Sequence, residues 1–203
     1  MKLGKKRIHI APVGFEIDRV VIPAVDNKAD KVFLLVHNNK KEDKASSYAE
    51  QIIKQLKSNK IESEKISVNW RDVESITKAA RRLILEQFGN DIFVNVASGS
   101  KNHAIALDRA IMTLEDQTGI VEFYAESEKY EGFKPGKQQL STGVKDTKTI
   151  PKRQMILPTG KLRSALFILY KNSLKQEGTC TFPCKEEHPL KACLLYTSDA
   201  ADE

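Results

Sequence analysis

Residues 91–101 read DIFVNVASGSK, from Asp91 to Lys101, and this stretch decides the fold. Its first part, Asp91–Val96, is a short apolar run of the kind that forms a strand buried on both faces. Its second part, Ala97-Ser98-Gly99-Ser100-Lys101, turns through small residues into a helical pattern carrying Ile105, Ala106, Ala110, Ile111 and Leu114. Gly119 marks the end of that segment. A buried strand leading through a tight corner into an amphipathic helix is the repeating unit of a parallel sheet.

The unit recurs along the chain. Arg7–Ala11 (RIHIA) is a strand ended by Pro12 and Gly14, and Phe15–Val25 has helical spacing at Ile17, Val20, Val21 and Ala24. Pro23 lies inside that helix and is expected to kink or shorten it. Lys31–Val36 (KVFLLV) is another doubly buried strand. Ser47 and Glu50 form a capping-box pattern for a helix with Tyr48, Ile52, Ile53 and Leu56 on its apolar stripe, ended by Asn59. A short strand follows at Lys65–Asn69. Asp72 then caps a helix that places Val73, Ile76, Ala80, Leu83, Ile84 and Phe88 on one face, stopped by Gly89. Ile120–Ala125 (IVEFYA) is a further strand. The alternation specifies an α/β protein: a Rossmann-like, mainly parallel sheet with helices on both faces. Residues 126–150, polar and glycine-containing, are expected to form hairpin pieces at the sheet edge.

The chain has 203 residues, 33 Lys+Arg against 27 Asp+Glu, a net charge of +6 and a pI near 9.1. That balance is compatible with a polyanionic partner. No apolar run approaches the roughly 20 residues that cross a bilayer, and MKLGKKR leads straight into a strand, so the expectation is a cytoplasmic protein without membrane contact. Residues 1–150 form the expected sensing domain. Residues 151–192, with Thr159 capping a helix bearing Leu162, Leu166, Leu169 and Tyr170, read as a linker and the start of an interrupted second domain. Cys193–Glu203 (CLLYTSDAADE) reads as a translated sequencing-adapter artefact; without its three acids the charge becomes 33 − 24 = +9. Cys180, Cys184, His188 and Cys193 supply zinc-type ligand atoms, but the spacing lacks paired short knuckles, so no metal is expected.

In an open parallel sheet, ligands bind beyond the carboxyl ends of the strands. Two corners qualify: Ala11–Phe15, and Ala97–Lys101 with its glycine, two hydroxyls and lysine at a helix start, which suits a phosphate. A cation at that position opposes the helix dipole, a conflict that a bound anion relieves. Asn95 and Asn102 flank the second corner and can add neutral hydrogen bonds. No G-x-G-x-x-G follows the first strand, Gly132–Lys137 (GFKPGK) is one residue short of a P-loop, and no G-x-S-x-G is present. His9 and His37 read as structural histidines and His103 as a cap on its helix. Four histidines with no suggestive carboxylate pair give little support to acid–base catalysis.

RIHIAPVGFEIDRVVIPA and FVNVASGSKNHAIAL resemble archaeal regulators in which a CRISPR-associated Rossmann fold (CARF) domain precedes a winged helix-turn-helix. The resemblance covers residues 7–150 in order of elements. It implies a homodimer whose paired pockets bind a cyclic oligoadenylate or related nucleotide and relay its presence to DNA through the second domain. Carried over by position, the ligand residues are Pro12, Val13, Gly14 and Phe15 in the first corner, Ser98, Gly99, Ser100 and Lys101 in the second, and Asn38 at the end of the second strand. No cofactor is implied. The alternative is a metal-independent ring nuclease that cleaves the same ligand, with Lys101 holding the phosphate while a ribose 2′-hydroxyl attacks. A third reading is a dimerisation domain with an empty pocket.

Overall fold

The computed structural model describes residues 4–39, 41–132, 139–153 and 160–175. The chain divides into two compact units, residues 1–154 and 155–203.

In the first unit the elements are β1 (Arg7–Pro12), α1 (Asp18–Asp26), β2 (Lys31–His37), α2 (Ser46–Ser58), β3 (Glu62–Val68), α3 (Val73–Glu86), β4 (Asp91–Asn95), α4 (Lys101–Met112) and β5 (Ile120–Glu126). Three short strands follow: β6 (Lys129–Tyr130), β7 (Ser141–Thr142) and β8 (Asp146–Thr149). The main sheet has the order β3-β2-β1-β4-β5-β8, parallel except for β8, which pairs antiparallel with β5. β6 and β7 pair antiparallel with each other in a separate two-stranded sheet, while β8, from the same glycine-containing segment, forms the edge of the main one.

Side-chain alternation divides the core. Ile8 and Ile10 of β1, Phe33 and Leu35 of β2, and Ile92 and Val94 of β4 pack under α3 and α4. Val32 and Leu34 of β2, with Ala11 at the end of β1, pack under α1 and α2. Strands buried on both faces read as nearly continuous apolar runs, which is why those at 31–36 and 91–96 were so legible.

Several expectations need correction. α1 begins at Asp18 rather than Phe15, and it continues through Pro23 to Asp26. Proline cannot donate to the carbonyl four residues earlier, Arg19. That orphaned acceptor takes a hydrogen bond from Asn95 Nδ2 at 2.7 Å, so the helix is neither stopped nor left unsatisfied. The Ser47/Glu50 capping box does not form. α2 starts two residues earlier behind Ala45 without a side-chain cap, and Glu50 pairs with Lys65 of β3 instead. Asn59 holds the C-cap, but the left-handed residue is Lys60 (φ 61°). The third strand is longer than read, because its exposed Glu62 and Glu64 hid it. Phe88 is 57% exposed, since it lies past the end of α3 at the Gly89 turn, and Ile105 is 45% exposed on the outer side of α4. Asp72 caps α3 as expected, accepting from Glu74 N and Ser75 N.

The second unit contributes α5 (Gly160–Lys175), on which Leu166, Phe167 and Ile168 are about half exposed. Thr159, the cysteines, His188, residues 133–137 of the GFKPGK stretch and the adapter-like tail lie outside the described residues. No helix among the described residues is long and apolar enough to cross a membrane.

Candidate functional site

The strand order runs outward in both directions from the β1/β4 pair, so the connections leaving those two strands go to opposite faces of the sheet. A crevice opens where they part, and ligands of doubly wound folds bind in such crevices. Here it is bounded by two glycines in close contact. A Cβ on Gly14 would lie 2.8 Å from Gly99 N, and one on Gly99 (φ +78°) would lie 2.7 Å from Pro12 Cβ. Both corners therefore require glycine, for space at 14 and for space and backbone conformation at 99. The backbone N–H groups of Gly14, Phe15 and Gly99 have no hydrogen-bond partner among the described residues.

The crevice widens into a cleft of about 740 Å³. Its wall draws on the loops after all four leading strands: Val13–Glu16, Lys41–Ala45, Trp70–Arg71, and Ala97 with Gly99 and Ser100. Arg19, His37 and His103 complete it, and Leu140 closes one side. The lining carries four permanent cations (Arg19, Lys41, Lys44, Arg71) and three carboxylates (Glu16, Glu42, Asp43).

Two of those carboxylates are already engaged. Glu16 is buried and accepts from Ser141 N at 3.2 Å and from Ser141 Oγ, with Arg19 Nη1 3.7 Å away. Glu42 Oε2 lies 3.2 Å from Arg71 Nη2 and 3.6 Å from His37 Nε2. Arg19 donates through Nε to the Ala125 carbonyl, while its Nη2 is buried without a partner.

Of the residues expected at the site, Val13, Gly14, Phe15, Gly99 and Ser100 line the cleft. Pro12, Ser98, Asn38 and Lys101 do not. Pro12 sits beneath Gly99, and its carbonyl accepts from Ser98 Oγ at 2.6 Å, so Ser98 is a buried brace between the two corners. Asn38 is exposed beyond β2 and donates its N–H to Val68 O. Lys101 is exposed at the first position of α4.

The flanking asparagines are also committed: Asn95 to Arg19 O and Ala97 N, and Asn102 to Trp70 O. Ser100 and His103 form a reciprocal cap at the start of α4, which uses the Ser100 amide.

That cap settles the His103 tautomer. Nδ1 accepts from Ser100 N, so the neutral ring carries its proton on Nε2, which is buried without a partner. Burial, with a smaller contribution from His37, holds its pKa down at about 4, and the ring is neutral at physiological pH. His37 Nδ1 faces the Val68 carbonyl at 3.5 Å, and its Nε2 faces Glu42 Oε2. His9 lies elsewhere, stacked on Phe93 at 4.9 Å, its pKa likewise lowered to about 4 by burial. It is structural as expected, although its Nε2 has no partner.

The sequence reading missed Arg19, Lys41, Lys44, Trp70 and Arg71. Arg19 lay inside an apolar helical pattern, and the others lie in loops that only the strand order brings to the crevice. No group of three or more metal-binding side chains occurs among the described residues.

A 130-residue stretch is 28% identical to an uncharacterised protein, MJ1513, of Methanocaldococcus jannaschii, covering 60% of this chain and 38% of that one. The chain thus spans less than half the length of that relative. Among solved structures, a type III CRISPR defence DNA nuclease activated by cyclic oligoadenylate superposes with a TM-score of 0.51 at 14% identity, over 63% of this chain and 20% of that one. Can2 from Sulfobacillus thermosulfidooxidans, solved with cyclic tetra-adenylate, gives a TM-score of 0.48 at 21% identity, over 60% and 32%. The fold is Rossmann-like, and that nuclease shares it over the superposed part. Residues 7–130, more than half of the chain, match the family model described as "HFX_2341_N:-like, N-terminal", and the chain belongs to that family.

Proposed function

We propose that this chain is the sensor part of a nucleotide-responsive transcription regulator, binding a cyclic oligoadenylate-type ligand in the cleft beside Gly14 and Gly99. The carrying observation is the contact of those two glycines at the point where the strand order reverses. It leaves unpaired backbone amides at the head of a cleft whose walls bear Arg19, Lys41, Lys44 and Arg71. Amides and cations together are what a phosphodiester needs. A fold-mate activated by cyclic oligoadenylate points to the same class of ligand.

A ring with two-fold symmetry suits a homodimer presenting two copies of this cleft, and ligand occupancy would then bias the angle between the copies. The basic segment after residue 150 is assigned to a DNA-binding winged helix, which would read that angle. Lys101, exposed beside Ser100, is placed at the rim as a long-range contact.

Calorimetry with cyclic tetra-adenylate tests the reading. Wild type should bind, the charge reversal Lys44→Glu should weaken binding at least tenfold, and Lys101→Ala should have a smaller effect. Wild type that binds no cyclic oligoadenylate of any ring size rejects the reading.

Two imidazoles in the cleft wall, His37 and His103, favour ring cleavage as a second reading. His37 Nε2 would take the proton of a ribose 2′-hydroxyl as its oxygen attacks the adjacent phosphorus. The His37 imidazolium so formed would then return that proton to the departing 5′-oxygen, leaving a 2′,3′-cyclic phosphate. Both Nε2 atoms are closed to solvent, so cleavage requires the cleft walls to part. Chromatography of the ligand after long incubation separates the readings, since a pure sensor returns it intact.

A further inference from the structure

The cleft lining also includes the chain's one tryptophan, Trp70, in the turn between β3 and α3. Its surroundings hold it firmly. The Trp70 carbonyl accepts from Asn102 Nδ2 at 3.1 Å, the Asn69 carboxamide oxygen accepts from Arg71 N, and Asp72 caps the helix immediately after. The indole is half-buried and meets the His37 ring edge-on, with centroids 6.1 Å apart. The Arg71 guanidinium lies 5.3 Å from its centroid.

This corner is chemically unlike the part of the lining formed by Gly14 and Gly99. Near Gly14 and Gly99 the cleft offers backbone amides, which serve a phosphate. At Trp70 and Arg71 it offers an aromatic ring and a guanidinium plane, the two surfaces on which unpaired bases stack. A simple anion needs no rigidly held indole, and Arg71 already has a carboxylate, Glu42, at 3.2 Å. The loop's side-chain and backbone bonds fix the ring without using the indole itself, so ordering on ligand entry costs little.

We propose that Trp70 and Arg71 form a nucleobase seat, on which one base of the ligand stacks while its phosphate lies toward Gly14 and Gly99. The inference rests on the nucleotide-sensor reading and refines it: the cleft selects a base-bearing ligand over an inorganic polyanion. Arg71 exchanges its Glu42 contact for the base and the adjoining phosphate, so Glu42 is displaced from the cleft as the seat fills.

Because Trp70 is the single tryptophan, its fluorescence reports on the seat directly. The experiment titrates the full chain with cyclic tetra-adenylate, adenosine monophosphate and tripolyphosphate, with affinities measured in parallel by calorimetry. Both adenine compounds should quench Trp70, whereas tripolyphosphate should not. Trp70→Ala should lose affinity for cyclic tetra-adenylate on the order of ten- to a hundredfold, a stacking-sized effect, and Trp70→Phe should keep most of it. Circular dichroism of both variants guards against a folding defect, and Trp70→Leu, which fills the site without a stacking face and should lose affinity as alanine does, carries the test if the alanine variant is unfolded. Tetra-adenylate binding with neither quenching nor any loss in the Trp70 variants overturns the seat and leaves the sensor reading standing. Quenching by the monophosphate without binding of the ring sinks the cyclic ligand and keeps the seat. No binding of either adenine compound overturns both.

Discussion

At Gly99, 78° of φ and 2.7 Å to Pro12 leave no room for a side chain. Gly99→Ala combines left-handed strain with a steric clash and is expected to cost about 1–3 kcal/mol, read as a lower midpoint in thermal or denaturant unfolding. A change at the exposed Gly4, where nothing lies within 4 Å, should be neutral in the same assay.

Glu122 supplies a second prediction. Burial first, and then the neighbouring Asp108 charge, push its carboxyl up to about 7 from 4.5. The folded state thus holds a proton that the unfolded state releases, so stability falls as pH rises from about 4.5 through 7 and levels off above. Glu122→Gln is expected to raise the melting temperature at pH 8, and the gain should vanish below pH 5. A melting series across pH checks this sign.

His9 and His103 act in the opposite direction. Their folded pKa values near 4 lie below the ordinary 6.5, so both contribute to loss of stability as pH falls from about 6.5 toward 4.

Among the elements, α1 shows how a local rule can be overridden at a known cost. Pro23 removes one rung of the helix, and Asn95 on β4 supplies the missing donor to Arg19 O while accepting from Ala97 N. Asn95→Leu strands both groups in a buried site and should destabilise by about 1–3 kcal/mol. In a Pro23→Ala background the helix regains its own donor, so the same substitution should cost measurably less. A double-mutant cycle with no coupling between the two positions would disprove this linkage. The cooperation also explains why the proline's effect was misread: its remedy lies more than 70 residues away, where sequence spacing carries no trace of it. By contrast, Asp72 acts on amides two and three residues ahead, and its role was readable at once.

For the molecule as a whole, legibility followed the range of the interaction. The parallel sheet was visible because strands buried on both faces cannot hide polar residues, as at Lys31–Val36. β3, with exposed Glu62 and Glu64, gave a weaker signal and was read three residues short at its start. The two glycine corners were identified from their own residues. Lys41, Lys44 and Trp70–Arg71 were not, because each is an ordinary loop residue until the order β3-β2-β1-β4 brings the loops together. Lys101 lies off the cleft lining even though it follows Ser100 directly in sequence, so adjacency along the chain did not report position on the wall.

One further tie spans the whole unit. Gln139 Oε1 accepts from Ile17 N and Asp18 N, Leu140 N donates to Phe15 O, Ser141 holds Glu16, and Gly143 N donates to Asp18 Oδ2. The amides that open α1 are thus filled by a side chain from over 120 positions downstream. A chain cut after residue 130 should show weakened near-ultraviolet dichroism and a lower melting temperature, despite keeping all five parallel strands. During translation, the corner that leaves the ribosome first stays unfinished until nearly the whole unit has followed it. A stalled or prematurely terminated nascent chain would therefore display a raw carboxylate and open helix end to chaperones and proteases, a natural check on incomplete synthesis.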